Sequence, residues 1–288
     1  MLLLLRTRDL NPGGIALPRK YIVLMSLVFL SSVVPSSARA WEYMANSLEL
    51  AYQYFSYDYK EDLQEPLKNK EEGNIPGIAI LYSYRWPEET YYELRGEISK
   101  GTTEYNGSLQ NGDPWNDRTD NKFYRFSLGI GHTLWPWEKI TVTPYLGIGT
   151  VMWERVLGKH TESPYTEKYY YNYFPVGILI VVEPTPWFSL SARAAYHVMM
   201  GAQIKLDGNV VSKKNSDLGN RYETIVETPV TIRFSKDMSL VITPFTYYRK
   251  FGRGDSFEVS CGSVTSTVYE PASSATISGI RAGIAYIW

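Results

Sequence analysis

One cysteine, Cys261, stands among 288 residues, so no disulfide forms within the chain. Histidine is nearly as scarce: His132, His160 and His197 are all there is for imidazole chemistry. Charge of neither sign dominates. A net charge of −1 sets up no long-range field toward nucleic acid, so no nucleic-acid partner is expected. Long apolar runs are absent too. The best, Tyr21 to Val34, falls short of the roughly 20 residues a membrane helix requires. Aromatics are what the chain has in excess, with 24 tyrosines and 8 tryptophans.

The short apolar run has its own meaning. Arg19 and Lys20 precede it and Ala38-Arg39-Ala40 follows. A basic flank, a short apolar core and an A-x-A site read as a secretory signal peptide over residues 1–40, with the mature chain at 41–288. No cysteine follows Ala40, so a lipoprotein anchor is not expected there.

Beyond residue 41 alternating segments come in pairs. Residues 75–86 and 90–101, 122–133 and 139–153, 170–182 and 187–201, and 222–234 and 239–251 each flank a short turn rich in Pro or charge. Strands at about 47–59 and 276–288 complete a set of about ten. Five longer polar stretches separate the pairs: 60–74, 102–121, 154–169, 202–221 and 252–275. Short turns alternating with long loops, on an even number of strands, predict an all-β fold. The predicted architecture is a transmembrane antiparallel up-and-down β-barrel in a Gram-negative outer membrane, with surface loops outside and both termini periplasmic.

Side-chain parity gives the faces, because successive residues of a strand point to opposite sides. In the last strand Ser278, Ile280, Ala282, Ile284, Tyr286 and Trp288 share one apolar face, and Arg281 lies on the other. The same parity puts Glu49, Glu93, Arg95, Glu97, Arg125, Arg193, Glu227 and Arg233 inside with Arg281. A ten-stranded lumen is narrow, so these charges are expected to pair and fill it rather than line a wide pore. Trp86, Trp135, Trp137 and Trp187 fall at short turns, as one aromatic girdle; Tyr52, Tyr54, Trp153, Tyr169 to Tyr171, Tyr173 and Tyr247 are candidates for the opposite one.

Ile140-Thr-Val-Thr-Pro-Tyr-Leu-Gly-Ile-Gly149 resembles a strand common in outer-membrane protein A-like and opacity-type barrels, and Val241 to Phe245 is a weaker echo. The terminal pair Tyr286 and Trp288 resembles the assembly signal of outer-membrane proteins. These likenesses imply outer-membrane lipid including lipopolysaccharide, the barrel-assembly machinery and an extracellular ligand as partners. The ten-strand layout is similar to that of omptins, the outer-membrane proteases. That family pairs Asp-x-Asp with Asp-x-His. Here the stretch after the third strand offers Glu104, Asp113, Asp117 and Asp120 without that spacing, and the stretch after the seventh has Asp207 and Asp217 without a histidine. Water then has no evident activating base.

Other motifs carry little. Asn111 to Asn121 is rich in oxygen ligands but has no EF-hand spacing, and it reads as a solvated turn. Arg253-Gly254-Asp255 is an integrin-type tripeptide, too short to carry that reading alone. His197 is expected inside, as a structural or pore-lining group. No catalytic residue, metal ligand or cofactor is assigned. The expectation is a non-catalytic surface or ligand-contacting, adhesin-like protein, with an omptin-type or lipid A-modifying enzyme and a narrow, porin-like solute channel as alternatives.

Overall fold

A computed structural model describes residues 46–288 apart from 64–66, 68, 86–88, 109–112, 159–163, 209–213 and 262–263. Of residues 208, 214, 257–261 and 264–268 it describes the backbone alone. The signal-peptide segment 1–40, Trp86, His160 and Asn111-Gly112 lie outside the described residues.

The wall consists of β1 (Ser47–Glu61), β2 (Lys70–Arg85), β3 (Thr90–Ser108), β4 (Pro114–His132), β5 (Ile140–Leu157), β6 (Tyr165–Thr185), β7 (Phe188–Gly208), β8 in two segments (Tyr222–Glu227 and Val230–Arg233), β9 (Met238–Phe251) and β10 (Ser273–Ile287). Each pairs antiparallel with the next, and β10 pairs with β1 from Ser47↔Ile287 to Glu61↔Ser273, so the sheet closes. Closure removes every edge, the condition for strands to cross a bilayer. The break in β8 follows from Pro229, which has no N–H to donate. Register survives the break, since Glu227 stands opposite Arg193 and Val230 opposite Leu190. One bulge, at Met200-Gly201 on β7, uses a glycine at φ +59°.

Parity sorts the side chains as the sequence predicts. Leu50, Ile78, Ile98, Phe126, Ile148, Ile178, Val226 and Ile280 are exposed, one from each of eight strands, and form an apolar belt. In water so large an apolar surface is an aggregation liability; in lipid it is the solvated face.

The five predicted long loops are largely strand. β3 and β4 stay paired out to Ser108↔Pro114, and β5 and β6 out to Leu157↔Tyr165. Beyond the belt the outward positions become polar (Thr102, Glu104, Asp120), so the apolar–polar alternation disappears while the hydrogen-bonded ladder continues. The oxygen-rich stretch is corrected accordingly: Trp115 to Asn121 belongs to β4, and Asn121 is buried. The wall thus extends past the belt as a rim. A short strand, Lys214–Asp217, pairs with β7 there, and a hairpin of Ser256–Cys261 and Val264–Tyr269 follows β9. At the short-turn end Leu134–Trp137 pairs with β5.

Candidate functional site

Inward positions of all ten strands converge on the lumen, where six arginines and six glutamates are among the buried residues. Their near balance lets guanidinium and carboxylate groups neutralise one another out of water, the only economical state for buried charge. In the lower tier Arg95 grips Glu227 with two bonds, Nη1 to Oε1 at 2.6 Å and Nη2 to Oε2 at 2.8 Å. Glu227 also lies 3.5 Å from Arg281 and 3.4 Å from Arg193. Arg281 Nη2 donates to Glu97 at 2.9 Å, and Arg193 bonds both oxygens of Glu93. Most of the sequence-predicted set therefore gathers around Glu227; Arg125 belongs to the tier above it, and Glu49 and Arg233 to the short-turn end. Arg233 is half-buried near the short turns, lining a vestibule of about 200 Å³ with Arg85, Glu183 and Glu49.

A second tier centres on Glu223. Arg125 holds it bidentately at 2.7 and 2.9 Å, Arg249 Nε donates at 2.9 Å, and His197 Nδ1 lies 3.1 Å away. Parity alone places Glu223 and Arg249 inside, counted back from Glu227 and on from Tyr247; their polar neighbours at strand ends hide them.

Rings fill the space above. Trp153 stacks on Tyr169 with centroids 4.4 Å apart and on Phe123 at 5.6 Å, and Tyr57, Tyr171 and Phe251 close the layer. This corrects the predicted second girdle. Trp153, Tyr169, Tyr171, Tyr173 and Tyr247 are buried in the lumen, while Tyr52, Tyr54 and Tyr170 face out. Within Tyr169 to Tyr171 only the middle ring has outward parity.

A third ionic group lies at the rim. Arg155 donates to Glu71 at 2.5 Å and Glu167 at 2.8 Å, Asn121 Nδ2 donates to Glu71 at 2.6 Å, and Tyr169 Oη donates to Glu270 at 2.5 Å. Burial pushes the Glu270 carboxyl well above the usual carboxylate range, and the nearby Glu167 and Glu61 add to it.

Among the described residues, two cavities along the tiers measure about 30 Å³ each, room for about one water.

Both described histidines are engaged with other groups. His197 stacks on Tyr173 at 4.3 Å, and its carboxylate partner is already taken by two arginines. His132 lies 3.7 Å from Glu89 at the short-turn end. Among the described residues no group of three or more His, Cys, Asp or Glu is disposed to hold a metal ion. The Arg253-Gly254-Asp255 tripeptide is woven into the rim instead of crowning a turn. Arg253 lies 3.8 Å over the Tyr269 ring, Gly254 N donates to Glu270 O, and Asp255 N donates to Asp217 O.

No protein-family profile matches the chain, and no curated protein matches its sequence. Solved structures do match. The outer membrane protease OmpT from Escherichia coli aligns with 88% of this chain and 99% of its own, at 10% identity and a TM-score of 0.61. The outer membrane protein OprG from Pseudomonas aeruginosa covers 85% of this chain and 96% of its own at 8% identity, with a TM-score of 0.41. Ail, the attachment invasion locus protein of Yersinia pestis, covers 85% and 100% at 12% identity, with a TM-score of 0.31. Identities this low speak to fold alone, and of the three only OmpT is close enough in shape to bear on it. The chain has the fold of a closed, ten-stranded outer-membrane β-barrel.

Proposed function

We propose that this chain is a non-conducting, non-catalytic protein of the bacterial outer membrane, with both termini periplasmic and the rim at the cell surface as a rigid contact platform for an extracellular ligand. The observation that carries this reading is the filled lumen. Two tiers of guanidinium–carboxylate pairs and a layer of rings occupy the path a solute would take. The rim supports the second half, because its polar outward faces ride on hydrogen-bonded strands and are held from within by Arg155, Glu71 and Trp153. Rigidity of that kind lowers the ordering cost of a contact.

Recording from planar bilayers tests the closed lumen: silence is expected, and steady unitary conductance overturns it in favour of a channel. An epitope inserted at residue 111 tests orientation. Antibody labelling of intact cells is expected; labelling only after permeabilisation reverses the assignment of the rim.

A further inference from the structure

On the outward face of β3 to β7, charged residues line up across five adjacent strands. Lys100 stands opposite Lys122, Lys122 opposite Glu154, Glu154 opposite Lys168, and Lys168 opposite Lys205. Lys122 Nζ and Lys168 Nζ each lie 2.9 Å from Glu154. Lys100 and Lys205 are exposed and form no ion pair among the described residues. Two directly opposed pairs of like charge thus flank a single carboxylate. Such pairs destabilise a sheet, and a row of four ammonium groups against one carboxylate calls for negative charge from outside the chain.

The level of this row points to the source. On β3, β4, β5 and β6 the lysines and Glu154 occupy the first outward position beyond Ile98, Tyr124, Met152 and Tyr170, the upper members of the apolar belt. The next outward positions carry Thr102, Asp120, Val156, Thr166 and Asp207, and Arg118 beyond them stands opposite Glu104, so on these strands the unbalanced positive charge lies at the belt's border, where the phosphates of a lipid lie. Other strands are different at that border. β1 and β10 put Ser56 and Ser278 there, and Lys60, Lys70 and Lys250 nearby each stand beside a carboxylate, Asp58, Glu72 and Asp62.

Below Lys100 and Lys122 the wall dips. A depression of about 420 Å³ opens over Gly96, bounded by Ile78, Ile80, Ile98, Phe126 and Met152. A Cβ on Gly96 meets only the end of the Ile80 side chain, at 3.3 Å. By contrast, a Cβ on the inward Gly147 comes within 2.1 Å of the Leu128 carbonyl oxygen. The barrel's folding therefore leaves Gly96 free to be larger, and what the glycine provides is the dip.

We infer that β3 to β6 form a site for a phosphorylated glycolipid of the outer leaflet, lipopolysaccharide, with its phosphate on Lys100, Lys122 and Lys168 and an acyl chain over Gly96. The inference rests on the outer-membrane placement proposed above.

The test uses the full chain in detergent, with lipopolysaccharide titrated against it and bound glycolipid measured. Dephosphorylated lipopolysaccharide, phosphatidylglycerol and inorganic phosphate are run in parallel. Wild type is expected to hold lipopolysaccharide at least tenfold more tightly than its dephosphorylated form or phosphatidylglycerol, with inorganic phosphate a weak competitor. Lys100→Gln/Lys122→Gln/Lys168→Gln is expected to lose tenfold or more, Gly96→Leu severalfold, and Lys60→Gln/Lys250→Gln nothing. Equal binding by the triple variant, or equal affinity for phosphatidylglycerol, overturns the inference. Heat-modifiable gel mobility reports that each variant remains a folded barrel. Should the triple variant fail to fold, Lys100→Gln and Gly96→Leu singly decide the matter, both weakening binding if the site is real and neither if it is not. Failure of the membrane reading shows itself separately, as wild type fractionating with soluble periplasmic proteins.

Discussion

Arg95 on β3 and Glu227 on β8 meet across the lumen in a two-bond fork, 132 residues apart in sequence. The two ends of the fork are not equivalent. Glu227 also faces Arg193 and Arg281, whereas Arg95 has Glu93 at 3.9 Å and Glu97 at 3.5 Å as lesser partners. Removing Glu227 takes the two-bond partner from Arg95 and a shared partner from Arg193 and Arg281, which keep Glu93 and Glu97; removing Arg95 leaves Glu227 two guanidiniums. Glu227→Gln is therefore expected to cost about 3–5 kcal/mol, the range for breaking a buried pair, and Arg95→Met clearly less. Denaturant unfolding in micelles measures both, and equal losses would show that the fork is symmetric.

Gly149 and Tyr173 explain why the Pro144-Tyr145-Leu146-Gly147-Ile148-Gly149 stretch has the form it has. A Cβ on Gly149 would stand 2.2 Å from Tyr173 Cζ, and one on Gly177 would stand 2.5 Å from Tyr145 Cζ. Each inward glycine is thus the bed of a tyrosine from a neighbouring strand. Gly149→Val is expected to displace Tyr173 from its stack on His197 and from Arg125, whose guanidinium carbon lies 5.6 Å from the ring centroid. Overpacking of this kind costs about 1–3 kcal/mol. Adding Tyr173→Ala should recover part of the loss, and strict additivity in unfolding midpoints would disprove the bed.

Parity made much of this legible. Arg95, Glu97, Arg125, Arg193, Glu227 and Arg281 can each be assigned inward from sequence, since a strand with one apolar face admits only one register. That Arg95 meets Glu227 and Arg125 meets Glu223 depends on strand tilt and closure, which no local pattern encodes. The rim was illegible for a different reason. Where neither face touches lipid, Thr102, Thr103, Asp120 and Asn121 look like loop chemistry although their backbones are fully paired.

Trp288 stacks on Tyr286 at 5.7 Å and sits 5.9 Å from Tyr82, an exposed aromatic patch at the short-turn end. A charge near the membrane interface costs about 0–1 kcal/mol in a barrel, too little to unfold the wall. A large effect of Trp288→Asp must then act through recognition during assembly. We expect it to lower the membrane-inserted fraction about fivefold or more in cells while the purified chain still refolds in detergent, with Trp288→Phe near wild type. Unchanged surface levels for Trp288→Asp would refute the signal.

The carboxyl of Glu270 is expected to make the rim sensitive to pH. Tyr169 Oη donates to its carboxyl, and Gly254 N to its backbone carbonyl, so this residue ties the segment after the hairpin to the lumen. Burial, then Glu167 and Glu61, raise its pKa well above that of an unfolded chain, while Arg155 opposes the shift. Between the unfolded value near 4.3 and the raised folded value, the folded rim binds more protons than the unfolded one. Stability from this group is therefore full below about pH 4 and is lost as pH climbs through the folded pKa, with no further loss above it. Glu270→Gln keeps an acceptor for Tyr169 and removes the charge. It is expected to slow amide exchange in 252–256 and 270–274, corrected for intrinsic rates, at pH 8, and to leave it unchanged at pH 4. A rim that opens on acidification instead would reverse the sign and place the controlling charge on Arg155 and its partners.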